Sequence, residues 1–597
     1  MSLKAVSADS ANIARHLPLM AARQPGHPAV KIPRGRTRTG AIDYLTLTYA
    51  ELAAEVDAWG ARLAAAGTRS GDRTLVMVRQ GLPLIAATFA LFKLGAVPVV
   101  IDPGMGLRNF LACVARSQPR VLLGIPFAQI VSRVFRNSFR TVEIRVAASS
   151  SMTARLGPIP DTGYRTPEST KLPPEGLSGF RFPVPGVQNS RADTLAAIVF
   201  TSGSTGAPKG GCYEHGMFDA QVRLIRDTYA IEPGEIDLPL LPIFALFNPA
   251  LGMTTIVPEF DPRRPAAVQP DKIVQAIQQE HVTNSFGSPT IWRKIADHCL
   301  ARGLVLPSLR RVLCAGAPVP ASLWIDASRF IPKGRLHSPY GATEVLPVST
   351  ATMEDISPAS VCGTCVGKPL TENRVKIIAI TDGPIAALTA ARELPLGEIG
   401  EIIVTGPTVT REYDQLPEAT TLAKIPDCGY RTPDSPSPQN AGLSGVRHPV
   451  SGIPIWHRMG DCGYLDAAGR LWFCGRVAER VETLEGPMYT EPCEQVFRVH
   501  PRVARCALVG LGSRDRQTPA MVIELKAGTP GRTTTERQAL ADALHQLAIR
   551  HPHTAEIRRF YFHPHLPVDV RHNAKIHRLA LARWTAKASV VEVPSNK

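Results

Sequence analysis

The sequence predicts an α/β protein: a large N-terminal domain of helix-flanked sheets with a small β-barrel, then a small α+β C-terminal domain. Three observations lead there. Helical and strand patterns alternate from about Leu45 to Asp102 and resume between Asp193 and Pro320, the rhythm of parallel strands joined by crossover helices. From Gly397 to Arg476 the chain turns to short strands punctuated by glycine, and after Gly475 a new strand and helix pattern begins. With 597 residues the chain also exceeds the size at which a single core stops growing, so domains are placed at 1–475 and 476–597.

In order along the chain, "AELAAEVDAWGARLAAAG" has the 3.6 period of an amphipathic helix, and "RTLVMV" reads as a strand. The apolar run Leu82 to Ile101 is nearly long enough to span a bilayer, but Lys93 interrupts it and Gly95 and Pro98 break it. It is therefore expected as a buried helix ending near Leu94, a glycine turn and a short strand. "DTLAAIVF" and "RRVLC" are further strands, with "DKIVQAIQQEHVTNSFGSPTIWRKIADHCL" supplying helices between them. In the C-terminal unit "CALVGLG" and "AMVIELKAG" read as strands and "TTERQALADALHQLAIRH" as an amphipathic helix.

A hydrophobic content of 44% and a charged content of 20% describe a globular chain. Lys+Arg exceed Asp+Glu by 67 to 51, yet these charges form no concentrated stripe and no nucleic-acid module accompanies them, so no nucleic-acid partner is expected. Eleven cysteines without framework spacing, and an N-terminal stretch lacking an apolar signal core, point to reduced thiols and a cytoplasmic location. The one CxxC, Cys362 to Cys365, is read as structural. One long segment is duplicated: residues 160–186 recur, altered, at 426–452. Both copies are Pro/Gly/Ser-rich and are read as exposed insertions, near 158–187 and 426–453, whose Cys428, Arg431 and His448 are not catalytic.

Chemistry is carried by a series of polar turns. "TSGSTGAPKG", Thr201 to Gly210, follows the strand "LAAIVF"; Thr201, Ser202, Gly203, Ser204, Thr205 and Gly206 offer hydroxyls and close-approach backbone N–H groups to phosphate, with Lys209 behind them. It is not a Walker loop. Four more stretches follow: "GAPVP" (Gly316, Ala317, Pro318), "SPYGATE" (Tyr340, Gly341, Thr343, Glu344), "RMGDCGYLDAAGRLWFCGR" (Asp461, Arg476) and "PVDVRHNAKIHR" (Lys575). Tyr340 offers a face for a purine, Glu344 a hard oxygen for Mg²⁺, Asp461 acceptors for ribose hydroxyls, and Arg476 and Lys575 positive charge for phosphate.

In this order the set resembles the adenylate-forming superfamily over nearly the whole chain outside the duplicated segments. The resemblance implies ATP and Mg²⁺ and a mobile C-terminal lid. It places the 201–209 loop over the β- and γ-phosphates, Gly316, Ala317, Pro318, Tyr340 and Gly341 at adenine, Thr343 at the α-phosphate, Glu344 on Mg²⁺, Asp461 and Arg476 on ribose, and Lys575 as the lysine of adenylation. Where acyl-CoA synthetases commonly show a histidine this chain has Ala245, amid an apolar wall of Phe244, Leu246, Phe247 and Leu251, and Phe244, Ala245, Leu246, Phe247 and Asn248 are taken as the substrate pocket. Ala478, Glu482 and Ala574 also depart from that pattern. Together "PIFALFNPALG", "HSPYGATEVLPVS" and "PVDVRHNAKIHR" look most like the β-lactone synthetases of bacterial long-chain olefin biosynthesis. That likeness implies a long-chain 2-alkyl-3-hydroxy fatty acid substrate, leaves room for other enzymes of the same hydrocarbon pathway as partners, and demands at most peripheral membrane contact. The alternative is a fatty acyl-CoA synthetase or fatty acyl-AMP ligase.

Overall fold

The computed structural model describes residues 11–148, 187–201, 207–261, 264–356, 362–427, 453–531, 533–568 and 576–594. The two duplicated insertions fall almost wholly outside these residues, and so does Lys575. Six strands, β1 (Arg73–Met77), β2 (Val97–Val100), β3 (Val121–Gly124), β4 (Ile144–Ala147), β5 (Leu195–Thr201) and β6 (Lys209–Glu214), form one sheet in the order β4-β3-β1-β2-β5-β6. All neighbours are parallel except β5 and β6. The helix Leu82–Leu94 joins β1 to β2 and is buried along most of its length, as the apolar run requires. Gly95, at φ +69°, ends it in the left-handed conformation that glycine adopts without strain.

A larger sheet takes fourteen strands. Its centre is β7 (Asn284–Gly287), β8 (Arg311–Cys314) and β9 (Arg335–Ala342), which run parallel, and β9 turns back into β10 (Val345–Ala351) through the two residues Thr343 and Glu344. Beyond β10 come the short strands expected as a small barrel, among them Thr364–Pro369, β11 (Gly400–Thr405), β12 (Ile455–Leu465) and β13 (Leu471–Arg476). They continue the larger sheet, because strand Thr364–Pro369 bonds to β10 on one edge and to β13 on the other. A bulge at Gly367 allows this: its φ is +81° and a Cβ there would lie 1.8 Å from the Thr350 carbonyl oxygen.

After Arg476 the chain builds a separate four-stranded sheet from Val503–Leu511, Thr518–Leu525, Arg559–Phe562 and Val591–Glu592. Helix Thr534–Ala548 covers it and opens on a capping box made by Thr533 and Glu536. Arg578 pairs with the fully buried Glu494 (2.7 Å) and with Glu479 (3.0 Å), tying the end of the chain to the segment after β13. Gly475 meets this unit closely: its φ is +130°, and a Cβ would lie 2.2 Å from the Thr490 hydroxyl oxygen. Among the described residues no helix is long and apolar enough to cross a membrane.

Two glycines separate backbone strain from steric conflict. Gly397→Ala, where φ is +84° and nothing lies within 4 Å, is expected to lower the unfolding free energy by about 1 kcal/mol. Gly367→Ala is expected to lower it by about 3 kcal/mol, since strain and a backbone clash combine; urea denaturation of the two variants measures the difference.

Candidate active site

The glycine-rich segment leaves β5 at Thr201 and rejoins the sheet at Lys209, with these two residues paired across the strands. Ser202, Gly203, Ser204, Thr205 and Gly206 lie outside the described residues, so the structure fixes the two ends of the loop. Arg116 donates to the Pro208 carbonyl (2.7 Å). The next residues of β6 lie against the segment Thr410–Asp414: Gly211 bridges Tyr413, Cys212 N donates to Glu412 O (3.1 Å), and Asp414 N donates to Gly210 O (2.7 Å). Arg73 holds Asp414 from below (2.9 Å).

The same segment fixes the turn between β9 and β10. Thr410 N donates to Glu344 O (2.8 Å), the Tyr213 hydroxyl of β6 donates to the Thr343 carbonyl, and Gln221 donates to Leu346 O (2.9 Å). The Tyr413 hydroxyl donates to Glu344 Oε1 (2.8 Å), and the Lys209 ammonium stands 4.9 Å from the centre of the Tyr413 ring. Burial and the Glu344 charge push the Tyr413 ionisation up, so it remains a neutral donor. Lys209, Tyr413 and Glu344 are thus one contiguous group.

Four residues before Glu344, in β9, the Tyr340 hydroxyl donates to Asp461 Oδ2 (2.6 Å). Asp461 and Arg476 face each other across β12 and β13, and Arg476 Nη1 donates to Asp461 Oδ1 (2.5 Å). Burial and the Asp461 charge hold Tyr340 in its protonated form, and Asp461 raises the pKa of Arg476. Asp461 is only 4% exposed with both oxygens engaged. A ribose hydroxyl would therefore share an oxygen with Tyr340 or Arg476 rather than meet an open carboxylate. Gly316, Ala317 and Pro318 form the turn from β8 into helix Ala321–Phe330, with Gly316 at φ +98°. The last registered pair of the parallel strands β8 and β9 is Leu313 with His337, so the 316–318 turn and Tyr340 both lie beyond that pair at the same end of the two strands. At Gly341 a Cβ would approach Val345 O and the Leu346 side chain to 2.8 Å, so the hairpin closes tightly here.

The apolar wall divides. Phe244 stacks on Phe286 at the end of β7, with ring centres 3.7 Å apart, whereas Ala245 is buried and Leu246 and Phe247 pack against the N-terminal core. Asn248 is turned inward: its amide donates to Asp237 and to Thr255, both at 2.9 Å. It opens the four-residue helix Asn248–Leu251 and braces the sheet, finding its partners in the neighbouring strands, and does not line a pocket. Glu482 pairs with Arg480, which reduces the negative charge that a polyphosphate would meet there. Lys575 lies outside the described residues, but the ends of its loop are set by the antiparallel bridge between Val568 and Ile576 and by Arg578.

Two buried groups escaped the motif reading. Lys424 and His457 pair across antiparallel strands, although 32 residues, including the second insertion, separate them in sequence. The Lys424 ammonium donates to Thr410 Oγ1 (3.0 Å) and lies 5.7 Å from the Tyr413 ring centre. Burial brings its pKa down to about 7 against the pull of Glu344. Burial and Lys424 together keep His457 neutral. Nothing in the sequence spacing of Tyr413 marks it as the partner of Glu344.

Among the described residues no group of three or more His, Cys, Asp or Glu side chains is placed to hold a metal ion. The donor set instead suits a cation that takes one carboxylate, Glu344, and completes its shell with phosphate oxygens and water, as Mg²⁺ does.

The AMP-binding enzyme family is matched over residues 19–414. The chain belongs to this family. AMP-binding enzymes of this adenylate-forming kind use ATP and act on an acid, and the chain is an AMP-forming ligase. It is 41% identical over 586 residues to the olefin β-lactone synthetase of Xanthomonas campestris pv. campestris, covering 97% of this chain and 98% of that one. It is 40% identical over 583 residues to the olefin β-lactone synthetase of Stenotrophomonas maltophilia, covering 96% and 98%. The adenylate-forming fold appears in the o-succinylbenzoate coenzyme A synthetase of Bacillus subtilis in complex with AMP, with a TM-score of 0.69 at 20% identity over 95% of this chain and 97% of that one.

A lysine whose pKa is depressed in the folded state binds fewer protons there than in the unfolded chain between about pH 7 and its ordinary value, so its contribution to stability rises with pH across that window. The unliganded protein is therefore expected to gain about 2 kcal/mol from this residue between pH 7 and 9. Lys424→Met should remove that gain, as urea denaturation of both proteins at the two pH values would reveal.

Proposed function

We propose that this protein is a β-lactone synthetase, converting a long-chain 2-alkyl-3-hydroxy fatty acid and ATP to a β-lactone, AMP and pyrophosphate. The observation that carries this reading is end-to-end likeness, at 41% identity over 97% of the chain, to an enzyme of that name. A free carboxylate is a poor electrophile, and exchange of a phosphate ester onto its oxygen gives the carboxyl carbon a good leaving group. The substrate carboxylate attacks the α-phosphorus and pyrophosphate departs. The β-hydroxyl then closes on the carboxyl carbon, loses its proton and releases AMP; attack within one molecule benefits from an effective concentration of roughly 10⁵ M or more, which offsets part of the ring strain.

In this reading Tyr340, Asp461 and Arg476 hold the nucleoside, with Gly316, Ala317 and Pro318 beside the base. The 201–206 loop with Lys209 takes the β- and γ-phosphates, Thr343 the α-phosphate, and Glu344, steadied by Tyr413, takes Mg²⁺, which would supply charge neutralisation for the departing pyrophosphate. Phe244, on its Phe286 platform, is the wall residue best placed to meet an alkyl chain. A fatty acyl-CoA synthetase is the second reading, favoured by the local neutralisation of Glu482 by Arg480.

Purified protein with ATP and a synthetic 2-alkyl-3-hydroxy acid, with and without CoA, is expected to yield β-lactone, AMP and pyrophosphate by mass spectrometry regardless of CoA. A thioester formed only with CoA selects the second reading, and ADP as the product ends both. Lys575→Ala is expected to slow pyrophosphate release by at least about 10²-fold while ATP binding, measured by calorimetry, is retained.

A further inference from the structure

Helix Pro126–Val134 follows β3 and carries apolar residues on its outer face as well as on its inner one, where Ala128 and Val131 pack. Its buried positions are Ala128, Gln129 and Ser132, and Gln129 donates to the carbonyls of Gly124 (3.3 Å) and Val146 (3.1 Å). Its outer face carries Phe127, Ile130 and Val134, exposed by 66%, 57% and 67%. Positions i, i+3 and i+7 line one side of a helix, so these three form a single stripe. A soluble helix normally turns such a stripe toward the core, and an unpaired one marks a surface that is covered in use.

The charge around the stripe identifies the cover. Between residues 103 and 148 the sequence holds seven arginines and one acid, Glu143. That acid is already paired with Arg120 (2.8 Å). Arg133 sits within the helix, and Arg136 and Arg140 follow it; all three are exposed, and among the described residues no carboxylate pairs with them. Exposed apolar side chains with exposed arginines close by in sequence, without interleaved acids, match the interface of an anionic bilayer, where the chains enter the acyl boundary and the guanidinium groups meet phosphate. A protein partner would have to supply a concentrated acidic rim around an apolar centre, which the stripe alone does not require. The helix begins at the carboxyl end of β3, the same edge of the six-stranded sheet from which the 201–209 loop leaves β5. We propose that the stripe Phe127, Ile130 and Val134, with Arg133, Arg136 and Arg140, docks this protein on the surface of an anionic phospholipid membrane. This holds whichever acid the catalytic site accepts.

The test is co-sedimentation of the full-length protein with phosphatidylcholine vesicles containing or lacking 30% phosphatidylglycerol. Wild type is expected to bind the anionic vesicles and to leave the neutral ones. Arg133→Glu/Arg136→Glu/Arg140→Glu should reduce partitioning by about 100-fold. Phe127→Ser/Ile130→Ser/Val134→Ser should reduce it by at least about tenfold, while both variants keep the wild-type thermal melt and the wild-type rate of pyrophosphate release with a water-soluble acid. Equal binding of wild type and both variants, or equal binding of wild type to neutral and anionic vesicles, overturns the proposal. So does a wild-type oligomer, seen without vesicles, that the serine variant alone dissociates, because the face would then be a contact between copies of this chain.

Discussion

The site depends on one short stretch of backbone, Thr410 to Asp414, held on both sides. On one side it bonds to β6 through Gly210, Gly211 and Cys212, and on the other Thr410 reaches the Glu344 carbonyl. This lacing couples the six-stranded sheet, which carries the ends of the glycine-rich segment, to the larger sheet, which carries Tyr340, Thr343 and Glu344. Backbone bonds of this kind tolerate little displacement. The candidate catalytic groups therefore keep their spacing although they come from elements hundreds of residues apart. Tyr413 repeats the link at the side-chain level, with its hydroxyl on Glu344 and its ring facing Lys209.

Much of this was written in the sequence in local form. Leu82 to Leu94 had to be a buried helix because it is apolar all round, and Gly95 marked its end; both follow from chain stereochemistry over a few residues. The polar turns were legible as well, because glycine beside hydroxyls, carboxylates or lysine has a narrow set of chemical uses. The relations between distant segments were not legible. Asn248 reads as a substrate-pocket residue from the aromatic run it follows, yet its burial against Asp237 and Thr255 is set by strands on other parts of the chain. Lys424 and His457 carry no local signal, since only the pairing of their strands sets them side by side, with the Lys424 ammonium near the Tyr413 ring. The short strands after β10 gave the periodicity of a barrel, whereas their partners, and hence their continuity with the large sheet, are fixed by a bulge at Gly367.

Electrostatics in the interior follow a consistent pattern. Buried carboxylates and guanidinium groups are matched at close range, as with Arg476 on Asp461 and Arg578 on Glu494 and Glu479. Lys424 has only a hydroxyl and a ring face for company among the described contacts, and its proton is correspondingly weakly held. A protein interior stabilises an ammonium poorly without a carboxylate in contact. In the proposed reading, an anion bound near Lys209 would favour the protonated form of Lys424.

Gly475 closes the larger sheet where the smaller unit begins, and its missing side chain leaves space that the Thr490 hydroxyl fills. The two bodies therefore meet without a spacer, and a single hydrogen atom on that α-carbon sets how near they come. A methyl group there would act as a wedge, pressing the Thr490 side chain away from the strand that ends at Arg476.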